Sequence, residues 1–470
     1  MKLKIVTLRE EKKPVAVIRS SVPKTHYETD LGNAERLVAR HGQDIRHVPE
    51  VRKWLVWNGS RWVWDHLGEV IRLAEGTVRE IYAEATKYDD SDTRKGIARW
   101  AKASESKPRL EYMMNLTSTQ PGIPVSLEDL DKDAYVLNVL NGVINLRTGA
   151  ISPNKREDLL TKLAPVHYDP SASCPTWLRF VGRIFADNND VIRFVQRAVG
   201  YSMTGDVSEQ VLFIAHGNGN NGKTVFSKTI QALLGDGDYS STMAPGVLIE
   251  SPGTTHPTGL ADLIRKRFVV ASEIDSDQRL REALVKQLTG GDRVKARYMH
   301  RDFFEFDPEC KIWMLVNYLP LIRGRDDGIW RRIIVIPFPV KIDKSERNPH
   351  LMDMLIAELP GILNWALEGL KDWREHGLSV PAQIQDAIER YRTGMDSVKL
   401  FFGECCHCSA KMKVKVGALY EAYVSWCDDV GRTALSKRTF GERVSMMYKQ
   451  GHSGKNRYWF GVGLRADQEE

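Results

Sequence analysis

Eight consecutive residues constrain this chain more than any other stretch: Gly217, Asn218, Gly219, Asn220, Asn221, Gly222, Lys223 and Thr224. They match the spacing Gly-x-x-x-x-Gly-Lys-Ser/Thr. The apolar run Val211–Ala215 enters the loop and predicts a strand, and the amphipathic run Val225–Leu234, stopped by Gly235, predicts a helix. Strand, loop and helix in that order is the setting in which such a loop binds phosphate. Glycines let backbone amides turn inward and come close to the phosphate oxygens. The helix start adds partial positive charge. Lys223 is the candidate partner of the β- and γ-phosphates and Thr224 a candidate ligand of Mg²⁺, so ATP and Mg²⁺ are the expected cofactors.

Three further short apolar runs, Phe268–Ser272, Ile312–Val316 and Ile333–Pro337, are bounded by turn residues and read as buried parallel strands. The layout is α/β, of the nucleotide-binding kind. Glu273 stands at the tip of the second run and is the first candidate to hold the metal and activate water. Asp275 and Asp277 are the alternatives, because Ile274 separates the acids. Asn317 ends the third run, where an amide is placed to orient an attacking water. Arg331 and Arg332 directly precede the fourth. An arginine there can project into the ATP site of a neighbouring subunit, and residue type does not separate the two.

The length, 470 residues, has room for two to four domains, and 42% hydrophobic with 27% charged residues is a globular balance. No apolar run approaches the ~18 residues of a membrane span, and Met1–Ile5 does not open a secretory signal. No membrane partner and a cytoplasmic location, in a bacterial host, are expected. The run Cys405, Cys406, His407, Cys408 lacks the second, separated ligand pair that zinc sites use, which favours reduced thiols.

The expected organisation is a basic arm over 1–28, an N-terminal α+β domain over 29–170, a helical segment over 171–205, the ATPase domain over 206–378, a helical linker over 379–410, and a C-terminal domain over 411–470. In the first of these domains, Trp54, Trp57, Trp62 and Trp64 surround Asn58-Gly59 in a hairpin pattern. Such a stripe packs a sheet face more often than it stacks on bases. The C-terminal domain reads as a winged helix: a helix over 417–428, a second beginning at the capping Ser436, and a strand–turn–strand ending. Between Lys411 and Arg465 there are eleven Lys or Arg against four acids. That local excess, with Lys437 and Arg438 on the second helix, points to DNA.

Taken together, several segments resemble one family. They are Trp54-Leu-Val-Trp-Asn-Gly59, Leu140-Asn-Gly-Val-Ile-Asn-Leu146, Gly200-Tyr-Ser-Met-Thr-Gly205, the phosphate loop, Ala271-Ser-Glu273, Lys286-Gln-Leu-Thr-Gly-Gly-Asp292, Asn317-Tyr-Leu-Pro320 and Trp330-Arg-Arg332. In that order they are similar to the superfamily 3 helicases, and more narrowly to the C-terminal half of phage and plasmid primase–helicases, a group related to the poxvirus helicase–NTPase. The resemblance spans roughly Thr29 to Leu464. It implies an AAA+-like core, an N-terminal collar, and a homo-oligomeric ring, a hexamer in this family, with ATP at the subunit interfaces. It also implies a channel hairpin gripping single-stranded or forked DNA. That hairpin falls on 292–304 and offers Lys295, Arg297, Tyr298, His300 and Arg301 as DNA contacts.

Longer relatives carry a primase domain ahead of this region. Asp89, Asp90 and Asp92 sit in a polar turn and not on a strand, so primer synthesis by this chain is not expected, and a separate primase or other replication protein is a candidate partner. The function expected is ATP-driven DNA unwinding in replication of a phage, plasmid or other mobile element. The alternative is a DNA-stimulated ATPase that initiates replication or loads other proteins without processive unwinding.

Overall fold

Consecutive residues of the short apolar runs face two different cores, which is what a parallel sheet covered on both sides requires. The computed structural model describes residues 26–250, 258–272, 278–297, 303–322, 327–395, 397–430, 434–453 and 456–465. The chain divides into two compact units, one made of 1–58 and 63–129, the other of 59–62 and 130–470.

The first unit holds α1 (Asp30–His41), β1 (Ile45–Val48), β2 (Lys53–Trp57), β3 (Trp62–Trp64, shared with the second unit), α2 (Glu69–Ala85), α3 (Ser91–Ser104) and α4 (Lys107–Thr117). Thr29 caps α1, its hydroxyl accepting from Gly32 N at 3.0 Å. Asp90 caps α3, accepting from Thr93 N at 2.7 Å, so one acid of the 89–92 turn has a structural task. Leu37, Ile45, Val70, Ala74, Val78, Leu110, Met113 and Ile123 form the core. The buried Asn33 is satisfied on both sides, donating to Ser104 Oγ at 2.9 Å and accepting from Trp100 Nε1 at 3.0 Å. The expected hairpin is present as β2 and β3; Trp62 is buried and Trp54, Trp57 and Trp64 are half-buried.

The second unit begins with a small antiparallel sheet of β4 (Val136–Val139), β5 (Gly142–Asn145) and β6 (Ile151–Ser152), followed by α5 (Pro175–Ile184) and α6 (Asn189–Ser202). Then come β7 (Leu212–His216), α7 (Lys223–Leu234), β8 (Ser240–Met243), α8 (Thr258–Ala261), β9 (Phe268–Ser272), α9 (Glu282–Gly290), β10 (Val294–Arg297), β11 (Phe303–Phe306), β12 (Lys311–Val316), α10 (Asp327–Trp330) and β13 (Ile333–Pro337). Five of these strands form one parallel sheet in the order β13-β7-β12-β9-β8. Phe213, Ala215, Phe268, Val270, Trp313, Leu315, Ile334 and Ile336 face one core. Leu212, Ile214, Val269, Ala271, Ile312, Met314, Ile333 and Val335 face the other.

Helices α5, α6, α7, α11 (Leu351–Ala357) and α12 (Leu359–His376) contribute to the first core. Helix α12 crosses α6 almost in backbone contact. A Cβ on Gly369 would lie 2.1 Å from Gln196 O, and one on Gly200 would lie 2.2 Å from Leu370 N. The second core takes α9, α10 and Tyr391 of α13 (Ala382–Met395). The chain ends with α14 (Ser397–Cys405), β14 (Cys406–Lys415), α15 (Val416–Asp429), α16 (Lys437–Ser445), β15 (Lys449–Ser453) and β16 (Asn456–Leu464), the three strands pairing antiparallel as β14-β16-β15. Strand β14 starts inside the stretch expected to be a helical linker. Cys406 is buried, and Cys408 lies 2.8 Å from the Tyr448 hydroxyl.

No helix among the described residues is long and apolar enough to cross a membrane.

Candidate nucleotide site

The phosphate loop leaves the carboxyl end of β7, between β12 and β13, the edge of a parallel sheet at which ligands bind. It is pinned from both neighbours. Gly217 N donates to Val316 O at 3.3 Å, and Phe338 N, just past β13, donates to His216 O at 2.8 Å. Gly219 and Asn220 have positive φ (40° and 53°), as does Gly222 (86°), which starts α7. At Gly222 a side chain is excluded twice, by φ and by space, since a Cβ would come within 2.6 Å of Ile184 Cγ2.

Lys223 is 6% exposed. Its Nζ donates to Gly217 O at 2.5 Å and to Asn317 Oδ1 at 3.1 Å. The lysine therefore lies within the loop's curl, on main-chain and amide oxygens of its own chain. Burial lowers its pKa to about 8. Asn317, from the end of β12, also accepts weakly from Gly219 N at 3.4 Å, so one amide bridges loop and lysine. Burial, followed by the Lys223 ammonium, holds His216 below the ordinary imidazole pKa, against the pull of a bond with the Asn317 backbone. The Asn221 side chain is 3% exposed, and its Nδ2 has no hydrogen-bond partner among the described residues. A polar, amide-lined curl with a buried ammonium and an orphaned buried amide fits a polyanion. Thr224 is exposed on the first turn of α7.

Next to the loop opens a cavity of about 840 Å³, lined by Asn220–Val225, by Thr176, Arg179, Phe180 and Arg183 of α5, and by residues between Ile342 and Met354. None of its lining beyond the loop was singled out from sequence. The signal that could have found it is weak: Arg179 and Arg183 lie one turn apart on a helix whose other face is apolar.

The structure separates the two arginines. Arg332 is 8% exposed. It donates to Thr289 Oγ1 at 3.1 Å, Gly328 O at 2.5 Å and Gln210 Oε1 at 3.3 Å. Arg331 is exposed, with a long 3.4 Å contact to the same Gln210 oxygen. Both sit at the amino end of β13, whose Ile333 pairs with Leu212 and whose Pro337 pairs with His216. At ~3.3 Å per residue, the length of β13 separates them from the loop at the carboxyl end.

Glu273, Asp275 and Asp277 lie outside the described residues, as do Tyr298, His300 and Arg301. Strand β9 runs up to Ser272, beside β12 and away from β7. Strands β10 and β11 pair antiparallel, Lys295 opposite Glu305 and Arg297 opposite Phe303. Lys295 is exposed, and it and the Arg297 guanidinium each lie 5.1 Å from the centre of the Phe303 ring. On α16, Lys437 is exposed with its ammonium 5.8 Å from the Tyr420 ring, and Arg438 pairs with Glu442 at 3.1 Å.

Residues 34–186 match the family described as D5 N terminal like, 215–332 match a family of unknown function (DUF5906), and 393–460 match the family described as Poxvirus D5 protein-like. A protein of Acanthamoeba polyphaga mimivirus named "Putative helicase" is 26% identical over 304 residues, covering 60% of this chain and 31% of the relative. Another of that name, from Invertebrate iridescent virus 6, is 25% identical over 362 residues, covering 68% and 37%. The chain thus spans about a third of the length of these curated relatives. Among solved structures, the apo structure of the NrS-1 C terminal region aligns over 94% of this chain and 100% of its own, at 12% identity and a TM-score of 0.52, a likeness of fold. The two D5 matches and the viral relatives together support a relation of this chain to the D5-like primase–helicases.

Proposed function

We propose that the chain is a nucleic-acid-acting nucleoside triphosphatase of DNA replication, and more narrowly an ATP-dependent DNA helicase of the superfamily 3 type that works as a ring on phage, plasmid or other mobile-element DNA. The observation that carries the reading is the loop with Lys223 held on Gly217 O and Asn317 Oδ1. An incoming triphosphate can replace both acceptors of the ammonium without displacing a carboxylate, which would leave the Asn317 amide to orient water.

In this reading the Gly217–Thr224 amides hold the phosphates, and Lys223 offsets their charge. The Thr224 hydroxyl, Glu273 and Asp275 are the groups that would hold Mg²⁺. The metal, when bound, neutralises charge on the β- and γ-oxygens. Arg331 is the arginine that reaches a neighbouring subunit. Its exposure and its place at the far end of β13 from its own loop support a role in trans, whereas Arg332 is engaged within the chain. The five-stranded parallel sheet supports an AAA+-like core, and α15, α16 and the β14-β16-β15 sheet support a C-terminal winged helix with Lys437 and Arg438 toward DNA. The β10/β11 hairpin, with Lys295 and Arg297, is the proposed channel element.

Strand separation of a forked duplex with Mg-ATP, comparing wild type with Lys223→Ala, tests the function. Unwinding by the wild type alone is expected. Hydrolysis without strand separation would replace the helicase reading with that of a loader or remodelling ATPase. DNA binding without hydrolysis would make the chain an initiator.

A further inference from the structure

The cavity beside the loop has two walls of different kinds. One is α5, fixed at its start by the Glu358 carboxylate, which accepts from Thr176 N and Trp177 N, both at 3.0 Å. The other is the strap after β13. This strap is stitched to the end of β7 through Phe338 N to His216 O at 2.8 Å and to the phosphate loop through Ile342 N to Asn220 O at 2.7 Å. Across the mouth, Arg183 of α5 donates to one carboxylate oxygen of Glu346 on the strap, from Nη2 at 2.8 Å and from Nε at 3.2 Å. Both side chains are nearly half exposed (45% and 43%).

We infer that this cavity seats the base and ribose of the nucleotide and that the Arg183–Glu346 pair is the latch that sets how fast the nucleotide leaves. The inference rests on reading Gly217–Thr224 as the triphosphate loop. A nucleoside is covalently tied to the phosphates, so it must occupy space contiguous with the loop, and Asn220–Val225 form one side of this cavity. Its volume, about 840 Å³, lies in the range of small-molecule sites. Phe180, Ile342 and Met354 supply apolar surface for a flat ring, and the Arg179 guanidinium a cationic plane for its face or for the ribose hydroxyls. The strap is hydrogen-bonded to the end of β7 and to the loop, whereas α5 meets the loop through side-chain packing of Ile184 and Phe180 at Gly222. Arg183 and Glu346 are side chains that join the two walls, so parting the walls to admit or release a nucleotide breaks their ion pair. They are positioning residues.

The test compares two probes on the full chain, ATP and inorganic tripolyphosphate, which has the phosphates without the nucleoside. Arg183→Ala should speed ATP dissociation about two- to fivefold, the range an exposed ion pair commands, and leave tripolyphosphate binding unchanged. The charge swap Arg183→Glu with Glu346→Arg should restore slow release. Met354→Trp, which fills the cavity, should weaken ATP at least tenfold and again spare tripolyphosphate, with circular dichroism confirming that each variant is folded. The inference is overturned if ATP and tripolyphosphate weaken together, if neither responds to any of these changes, or if the swap does not rescue. Lys223→Ala separates this from the parent reading. It should weaken both probes, and if it weakens neither, the phosphate loop assignment itself fails.

Discussion

Both ends of the parallel sheet bury lysine ammonium groups, and the two ends use them differently. At the amino end, Lys311 donates to Thr204 O, to Asp206 O at 3.0 Å and to Glu309 O at 3.0 Å, which saturates its three N–H groups. Arg267 beside it donates to Val136 O at 2.7 Å, Met203 O at 2.9 Å and Asp133 O at 3.3 Å. Lys266 donates to Gly237 O and to Asp238 O at 2.9 Å. These cations tie the 133–136, 203–206 and 237–238 segments to the sheet. At the carboxyl end, Lys223 has two acceptors among the described residues and faces an open cavity. Burial depresses all three lysines, Lys311 to about 7 and Lys266 and Lys223 to about 8. A depressed lysine is thus not by itself a mark of function. What distinguishes Lys223 is that its two acceptors belong to the loop and the end of β12, beside an open cavity, and in the proposed function a triphosphate replaces them.

The largest effect expected bears on Arg331, the exposed cation at the otherwise structural amino end. Arg331→Ala should lower ATP turnover by about 10³-fold, the scale of a trans-acting arginine. Arg332→Ala should instead cost about 1–3 kcal/mol of stability through its orphaned partners. Mixing Lys223→Ala with Arg331→Ala protein should recover part of the turnover, because sites pairing an intact loop with an intact arginine re-form. Absence of recovery in a mixed assembly would remove Arg331 from the trans role.

Next in size is the contrast between the lysines in urea denaturation. Lys311→Ala strands three buried carbonyls and should cost about 3–5 kcal/mol, the scale for breaking a buried charged cluster. Lys223→Ala should cost less than about 1 kcal/mol, since its acceptors lie at the solvent-facing loop. Equal losses would erase the distinction between the two ends.

The smallest effect is in pH. A lysine whose pKa falls from 10.5 unfolded to about 7 (Lys311) or 8 (Lys223) folded binds more protons when unfolded across that window. Stability should therefore rise between pH ~7 and ~10, and Lys311→Met should flatten the rise. For ATP the sign is opposite. Phosphates favour the charged Lys223, so binding near pH 8–9 should take up a proton and weaken as pH increases, as calorimetry in buffers of different ionisation enthalpy would show. No proton uptake would mean that Lys223 is already charged before ATP binds.

Much of this fold was legible because short continuous apolar runs and an anchored loop leave little freedom. The strands around the loop lie within one residue of expectation, and the helix after it starts two residues earlier, at Lys223. Other features were legible in pattern and opaque in purpose. The Gly200–Gly205 segment carries resemblance to the family, yet its residues pack: Gly200 admits α12, Ser202 Oγ accepts from Trp313 Nε1 at 3.1 Å, and Thr204 O receives Lys311. Strand β14 was missed because Cys406–Lys415 alternates poorly and holds a register shift between Cys408 and Lys413. The cavity walls were invisible because α5 and the strap are more than 150 residues apart and meet only through tertiary packing, as the Arg183–Glu346 contact shows. The two arginines of Trp330-Arg-Arg332 could be told apart only once burial was known.

Leu212 N donates to Arg332 O at 2.7 Å, and β7 then pairs with β13 along its whole length. The strand that ends in a subunit's own phosphate loop and the strand that begins beside Arg331 are therefore one stiff plate. In a ring assembled as proposed, that plate is a lever with a nucleotide at each end, its own at one and its neighbour's at the other. In such a ring, a tilt of that plate would carry both nucleotides with it, which would tie the order in which sites fire to the ring's geometry.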